Sequence, residues 1–432
     1  MTPTLVVPSG GAERDARWRA HNPVMAMLEA CLPDSRLLAC VLVLACSVAG
    51  TRGASLQSTD KRQERLQAAV ARVYDTRVLH RIDIVIAPDD ARAILNRTSD
   101  RVRCTFTFDG VVLKDVGIRQ AGGTFNRFVS IDEKPTLSVK FDDFVDGQEL
   151  HGLEKMVLKD GRQDSGFVGE HLTYEVYRRA GIAAPMTAHA HVTINGTDSG
   201  IYVMREPINR DFLTRNFGRA SSQGNIYELN YQPDPMVAPQ RIRLKDESEQ
   251  KRVRTELLGA ADAVMNAPPE TFVTAVSRYL DLDRYITYYA VEVVTSNYDG
   301  FSFNVNNAYL YAHPKDGRLI MIPYGADSSF WAEARITKIR SPLQSPRAAL
   351  ARRVQSIPEL AQTFAAEAAR IGREPVWDKK VLLERLAQVD RILATAPTTG
   401  RTAVDVKRFA DYRPVIEAFI NAGGTNGSAA LP

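Results

Sequence analysis

One change of hydrophobic period divides this chain of 432 residues. From His80 onward apolar residues recur at every second position, as along a half-buried strand: Ile82, Ile84 and Ile86 alternate with Asp83 and Val85. After Pro233 the apolar residues recur at helical spacing instead. A run of strands followed by a run of helices reads as an α+β fold, β-rich first and mainly helical afterwards.

Local punctuation divides each run into elements. A leading helix is expected over Arg62–Tyr74. The period-two region predicts strands over Val102–Phe108, Val111–Arg119, Thr136–Phe141, Lys155–Leu158, Ala188–Ile194 and Gly200–Arg205. Asp109-Gly110 and Asn195-Gly196 are hairpin turns, because both dipeptides accept the left-handed backbone such turns need. Asp89 is expected to cap a helix running through Leu95, and Asp164 or Ser165 one ending at Arg179, so the first part is a mixed, mainly antiparallel sheet with one or two helices. The later run predicts helices over Ser248–Met265, Pro269–Leu280 and Leu282–Ser296, then a hairpin of Ala308–Ala312 and Leu319–Pro323. Helices resume over Ser345–Ile371, Asp378–Ala394 and Val404–Ile420.

Leu37–Thr51 is an uncharged stretch of 15 residues between Arg36 and Arg52. It falls short of the roughly 20 apolar residues of a spanning helix and suits the core of a secretory signal. Met25 or Met27 is an alternative start, and Val43-Leu44-Ala45-Cys46 resembles a bacterial lipobox whose cysteine is lipidated; cleavage after Ala49 or Ala54 without lipid is the other reading. The expected division is therefore an export segment over 1–54, a leading helix and linker over 55–79, a β-rich lobe over 80–232, a helical lobe over 233–421 and a flexible tail over 422–432. The expected location is the cell envelope, periplasm or exterior, with a lipid anchor at Cys46 in the first reading. Basic and acidic residues nearly balance (55 against 51), which gives no footprint for nucleic acid. Four Cys without a CxxC pair exclude a zinc ribbon, and Cys104 reads as a buried structural thiol.

No phosphate-loop, metalloprotease, serine-hydrolase or dinucleotide motif occurs. His189 and His191 share one face of a strand, but no third metal ligand is evident. The informative window is 297–330. Asp299 is followed five residues later by Asn304, then by Asn307 and the hairpin, and Asp327 comes just past its second strand. Two carboxylates and an amide oxygen at a hairpin mouth are the hard ligands that suit Mg²⁺ on a nucleotide phosphate, and the Asp-to-Asn spacing equals that of the protein-kinase catalytic loop. The same residues also make ordinary turns. Cations come from the first run. Arg119 precedes Ala121-Gly122-Gly123-Thr124, a turn that lets backbone approach a phosphate; Lys140 ends a strand; Glu206 is placed to orient such a lysine or share a metal.

Seven segments in order then resemble the CotH-type atypical kinases: GIRQAGGTF (117–125), KPTLSVKF (134–141), YEVYRRAGIAAP (174–185), INGTDSGIYVMREPINRDFL (194–213), GNIYELN (224–230), SNYDGFSFNVNNAYLY (296–311) and IPYGADSSF (322–330). The resemblance implies a two-lobed, protein-kinase-like fold that binds ATP and Mg²⁺ and phosphorylates Ser or Thr of secreted or surface proteins. By position it implies Asp299 as the catalytic aspartate, Asn304, Asn307 and Asp327 at the metal, and Arg119, Lys140 and Glu206 near the phosphates. Two departures stand out. Gly325 replaces the first Asp of the family's PWDLD-like motif, and Glu228 stands where Lys is often found. A catalytically degraded member, acting as an envelope scaffold, is the alternative these departures leave open.

Overall fold

The computed structural model describes residues 61–94, 100–121, 129–164, 166–230, 232–245, 252–330 and 346–424. The export segment with Cys46, the glycines of the 121–124 turn and the tail beyond Gly424 lie outside the described residues.

Helix α1 spans 61–73. Then come β1 (His80–Ile86), α2 (Pro88–Ala93), β2 (Val102–Phe108), β3 (Val111–Gln120), β4 (Leu137–Lys140), β5 (Lys155–Lys159), α3 (Gly169–Arg179), β6 (Thr187–Ile194) and β7 (Thr197–Arg205). The expected mixed, mainly antiparallel sheet is present and closes into a barrel of order β1-β2-β3-β4-β5-β7-β6. β1 pairs in parallel with β6, Ile82 opposite Val192, and the other pairings are antiparallel. Closure removes the exposed edges an open sheet would carry. Both expected hairpin turns are present, Asp109-Gly110 and Asn195-Gly196 each having positive φ at both positions. Alternate residues such as Ile84, Phe106, Ile118, Val139 and Leu158 fill the barrel, joined by Leu66, Val70 and Val73 of α1, and Cys104 is buried among them. Two helix starts differ from expectation. α2 begins with Pro88 at its first position and receives no side-chain cap from Asp89, and α3 begins at Gly169, where Asp164 still accepts from the first-turn amide of Glu170 as expected, while Ser165 lies outside the described residues.

The chain passes to the second part after Arg205, earlier than Pro233, because β8 (Ile226–Glu228) pairs with β9 (Ala308–Ala312) rather than with the barrel. With β10 (Leu319–Pro323) these form a small antiparallel sheet, β10-β9-β8. Around it lie α4 (Arg210–Phe217), α5 (Thr255–Asn266), α6 (Pro269–Val276), α7 (Leu282–Val294), α8 (Phe301–Asn304), α9 (Ala349–Ser356), α10 (Pro358–Ile371), α11 (Lys379–Leu393) and α12 (Gly400–Ala422). The single helix expected over Ser345–Ile371 is two, since Pro358 starts a new one. Among the described residues no helix is long and apolar enough to cross a membrane.

β7 joins the two parts. Tyr202 and Met204 point into the barrel, while Ile201 and Val203 belong to the helical core. Asp405 of α12 locks this strand: its carboxylate accepts from the Ile201 amide at 2.9 Å and from Lys134 Nζ at 2.5 Å. Burial pushes the Lys134 ammonium down to about 8 despite Asp405 beside it.

His189 and His191 do share a face, but each has its own partner. His191 meets Asp198, whereas buried His189 donates Nε2–H to the Phe167 carbonyl at 2.7 Å and packs edge-on to His171. Burial holds His189 down at about 4 and His171 well below 6.5. The unfolded chain takes up these protons near pH 6.5, so stability should fall as pH drops from about 6.5 to 4. For His189 the loss is about 3 kcal/mol at pH 4. Denaturant midpoints across this range check it, and His189→Gln, which keeps a donor for Phe167, should flatten the slope.

Candidate functional site

A cavity of about 390 Å³ opens between the barrel and the small sheet. Its cations come mainly from the barrel: Arg101, Arg119, Lys155, Lys159 and Arg205. Its carboxylates come from beside the small sheet: Asp299, Asp327 and Glu228, with Lys245 near the last. These cations crowd one another. Burial and the charge of Arg119 lower Arg101 to about 10, and burial with Lys140 and Arg101 lowers Lys155. A wall of mutually repelling cations favours an anionic ligand.

Asp299 is held in an amide bracket. Asn304 Nδ2 donates to one carboxylate oxygen at 2.6 Å, and Asn307 Nδ2 donates to the other at 2.7 Å and to the Asp299 carbonyl at 3.0 Å. The loop is shaped from behind by Glu292, near the end of α7, whose buried carboxylate accepts from the amides of Phe301 at 2.6 Å and Ser302 at 3.0 Å. Burial raises Glu292 to about 7. Ser296, Val305 and Asn307 all take positive φ, and for a β-branched residue such as Val305 that is a strained conformation. What reads in sequence as a turn-rich loop is a rigid mount for one carboxylate.

Asp327 sits in the turn after β10, 5% exposed, with Lys159 Nζ at 2.8 Å. Burial opposes the Lys159 charge, but Asp327 and Glu170 more than offset it and hold the ammonium above its ordinary value. Behind this pair lies Asp164, whose oxygens accept from the Val168 and Glu170 amides. Burial and the charge of Asp327 push Asp164 up to about 7. Glu170 of α3 pairs with Arg205 of β7 at 2.6 Å and accepts from the Tyr174 hydroxyl at 2.9 Å. Arg205 in turn stacks on the Tyr324 ring. The chain Asp327–Lys159 and Glu170–Arg205 ties both parts of the fold to the cavity wall.

The residues singled out in sequence fall into two groups. Arg119, Asp299, Asn307 and Asp327 line this one cavity. Lys140, Glu206 and Asn304 are not among its lining residues. Lys140 is drawn to Asp143 at 3.1 Å and Asp142 at 3.7 Å. Both Glu206 oxygens take the Arg215 guanidinium, and one also accepts from the Met186 amide. Asn304 turns its Oδ1 to Arg347 at 2.8 Å, in an open groove on the other side of the loop, so the oxygen a metal would need is engaged elsewhere. Sequence reasoning passed over Lys155 and Lys159. Their signal was present: both stand at the ends of the apolar strand KMVLK, with strand periodicity placing them on one face. Among the described residues no group of three His, Cys, Asp or Glu side chains is placed to hold a metal ion by itself.

Gly325 has a steric reason. Its φ is +54°, and a Cβ there would lie 2.5 Å from Asn307 Oδ1, the amide that brackets Asp299.

A sequence profile described as CotH kinase protein matches residues 118–392. Inner spore coat protein H of Bacillus subtilis (strain 168) is 23% identical over 197 residues, which is 43% of this chain and 53% of that protein. The chain thus spans about half the length of this curated relative. The crystal structure of a Helicobacter pylori proinflammatory kinase, CtkA, covers 72% of this chain and 95% of its own at 10% identity, with a TM-score of 0.32, too low to carry an argument.

Gly325→Ala should cost about 1–2 kcal/mol through its left-handed backbone and the contact with Asn307, read as a lowered unfolding midpoint. The same substitution should cost less in an Asn307→Ala background. Equal costs in both would assign the effect to backbone strain alone.

Proposed function

This chain belongs to the CotH kinase family, and on that premise we propose that it is an exported kinase transferring the γ-phosphoryl group of ATP to Ser or Thr of secreted or surface proteins. The observation that carries this reading is that Asp299 and Asp327, 28 residues apart in sequence, line one cavity together with Arg119, Lys155 and Lys159. The barrel and the helical part act as two lobes around that cavity. Residues 1–54 serve as the export segment, with lipidation at Cys46 as the anchored form.

The chemistry divides among the chain's own residues. Arg119, Lys155 and Lys159 neutralise and orient the phosphate oxygens, which is most of what phosphoryl transfer asks of a protein. Asp299 accepts the proton of the acceptor hydroxyl as its oxygen bonds to the γ-phosphorus and the bond to the bridging oxygen of ADP breaks. The amides of Asn304 and Asn307 fix that carboxylate so that neither oxygen must reorient as charge develops. The donor set fits Mg²⁺ arriving with the phosphates: Asp327 and Asn307 would hold it, leaving its remaining positions to phosphate oxygens and water, and it would supply charge neutralisation. Asp327 is paired with Lys159, so a bound ion would compete with that ammonium for the carboxylate.

A second reading, a non-catalytic envelope scaffold with the same fold, is favoured by the missing carboxylate at Gly325.

Titrating full-length protein with ATP and MgCl₂ separates the two. Ligand at about 100 times its dissociation constant should stabilise the fold by roughly 2.7 kcal/mol. Asp327→Asn should lose the Mg²⁺-dependent part of that shift. Asp299→Asn should keep the shift and lose about 100- to 10,000-fold in transfer of labelled phosphate to the chain itself or to Ser/Thr peptides. Absence of any shift at millimolar nucleotide favours the scaffold.

A further inference from the structure

Two residues of the cavity lining, Glu228 and Lys245, have no role in the phosphate chemistry proposed above. Glu228 on β8 lies directly across from Tyr309 on β9, and its charge adds to burial in raising the Tyr309 hydroxyl above its ordinary value. Lys245 reaches the same place from a segment that adds to β8 on the far side. Leu244 bridges Tyr227, and the Lys245 amide donates to the Ile226 carbonyl at 2.8 Å. Its ammonium donates to the Ile208 carbonyl, lies 3.4 Å from the Tyr309 hydroxyl and stands 4.6 Å from the centre of the Tyr309 ring. Lys245 also feels Glu228 as its main favourable charge, against the repulsion of Lys155, Arg205 and Arg119. A cation supplied from position 245 therefore stands close to Glu228.

Glu228 and Lys245 set one carboxylate and one ammonium side by side on the cavity wall, above the buried Tyr309 ring. Such a pair suits a heterocycle whose edge places an acceptor beside an N–H, because each charged group meets its complement. Resting on the nucleotide reading above, we propose that Glu228 and Lys245 read the base of the nucleoside triphosphate: Lys245 donates to a ring or carbonyl acceptor on the base edge, and Glu228 accepts from the neighbouring N–H. The pair sets base selection, and the barrel cations hold the phosphates.

The test compares ATP with inorganic tripolyphosphate, each with Mg²⁺, by calorimetry on the full chain. Wild-type protein should bind ATP more tightly than tripolyphosphate. Lys245→Met should weaken ATP about tenfold or more and Glu228→Gln several-fold, as expected for hydrogen bonds to charged groups, with tripolyphosphate unchanged within about twofold. Parallel loss of both ligands in Lys245→Met would make Lys245 a phosphate cation and overturn the proposal, as would unchanged ATP affinity in both variants. Wild-type protein that binds tripolyphosphate as well as ATP overturns base reading while leaving the phosphate site standing. Binding of neither ligand removes the nucleotide reading itself and this proposal with it. Thermal midpoints show which variants fold, and Glu228→Gln, nearly isosteric, carries the test should Lys245→Met unfold.

Discussion

Strand β7 is buried on both faces, and the rest of the molecule is arranged around that constraint. A strand with one wet face alternates polar and apolar residues; this one reads Gly200-Ile201-Tyr202-Val203-Met204 without a break. Its odd and even positions serve different cores, so the strand must sit where barrel and helices meet. From this position its last residue, Arg205, is delivered to the cavity wall, and its fifth residue, Ile201, offers its amide to Asp405. Slipping the strand by one residue would exchange the two faces and lose both cores together.

Charge is partitioned to match that architecture. Buried ion pairs contribute little net stability once desolvation is counted, but breaking one by removing a single partner is costly. Asp327–Lys159 and Glu170–Arg205 therefore act mainly as geometric constraints: each joins a residue of the barrel strands to one on a turn or helix outside it. The amide bracket around Asp299 does the same work by neutral hydrogen bonds. One aspartate is thus held by an ion pair, the other by neutral amides. The close fit of Gly325 against Asn307 belongs to this mount, so the glycine reads as part of the local geometry of the site.

Much of this was legible in the residues. Period-two alternation located the barrel strands, and Asp-Gly and Asn-Gly marked their hairpins, because strand alternation and left-handed turns are local properties of a few adjacent residues. The window from Asp299 to Asp327 was legible for a similar reason: the bracket, the hairpin and the second carboxylate all lie within one short stretch. The lysines were less so. Lys140 and Lys155 are direct cross-strand partners, yet only Lys155 lines the cavity, because Asp142 and Asp143 in the turn after β4 draw Lys140 away. Nothing in the spacing of either strand tells the two apart. Glu206 and Asn304 likewise lie outside the cavity lining, with polar atoms engaged by Arg215 and Arg347, neighbours that the folded chain brings near.

The amino-acid order by itself determined most of the barrel strands, their two tight turns, and that two aspartates flank a single hairpin. Tertiary structure alone decided that the sheet closes, since the parallel pairing of β1 with β6 joins segments more than a hundred residues apart. It also decided which of many basic residues converge on one cavity, and that Lys245 answers Glu228. Such outcomes depend on strand register and on competition among neighbours for each charge, and both exist only once distant parts of the chain have met.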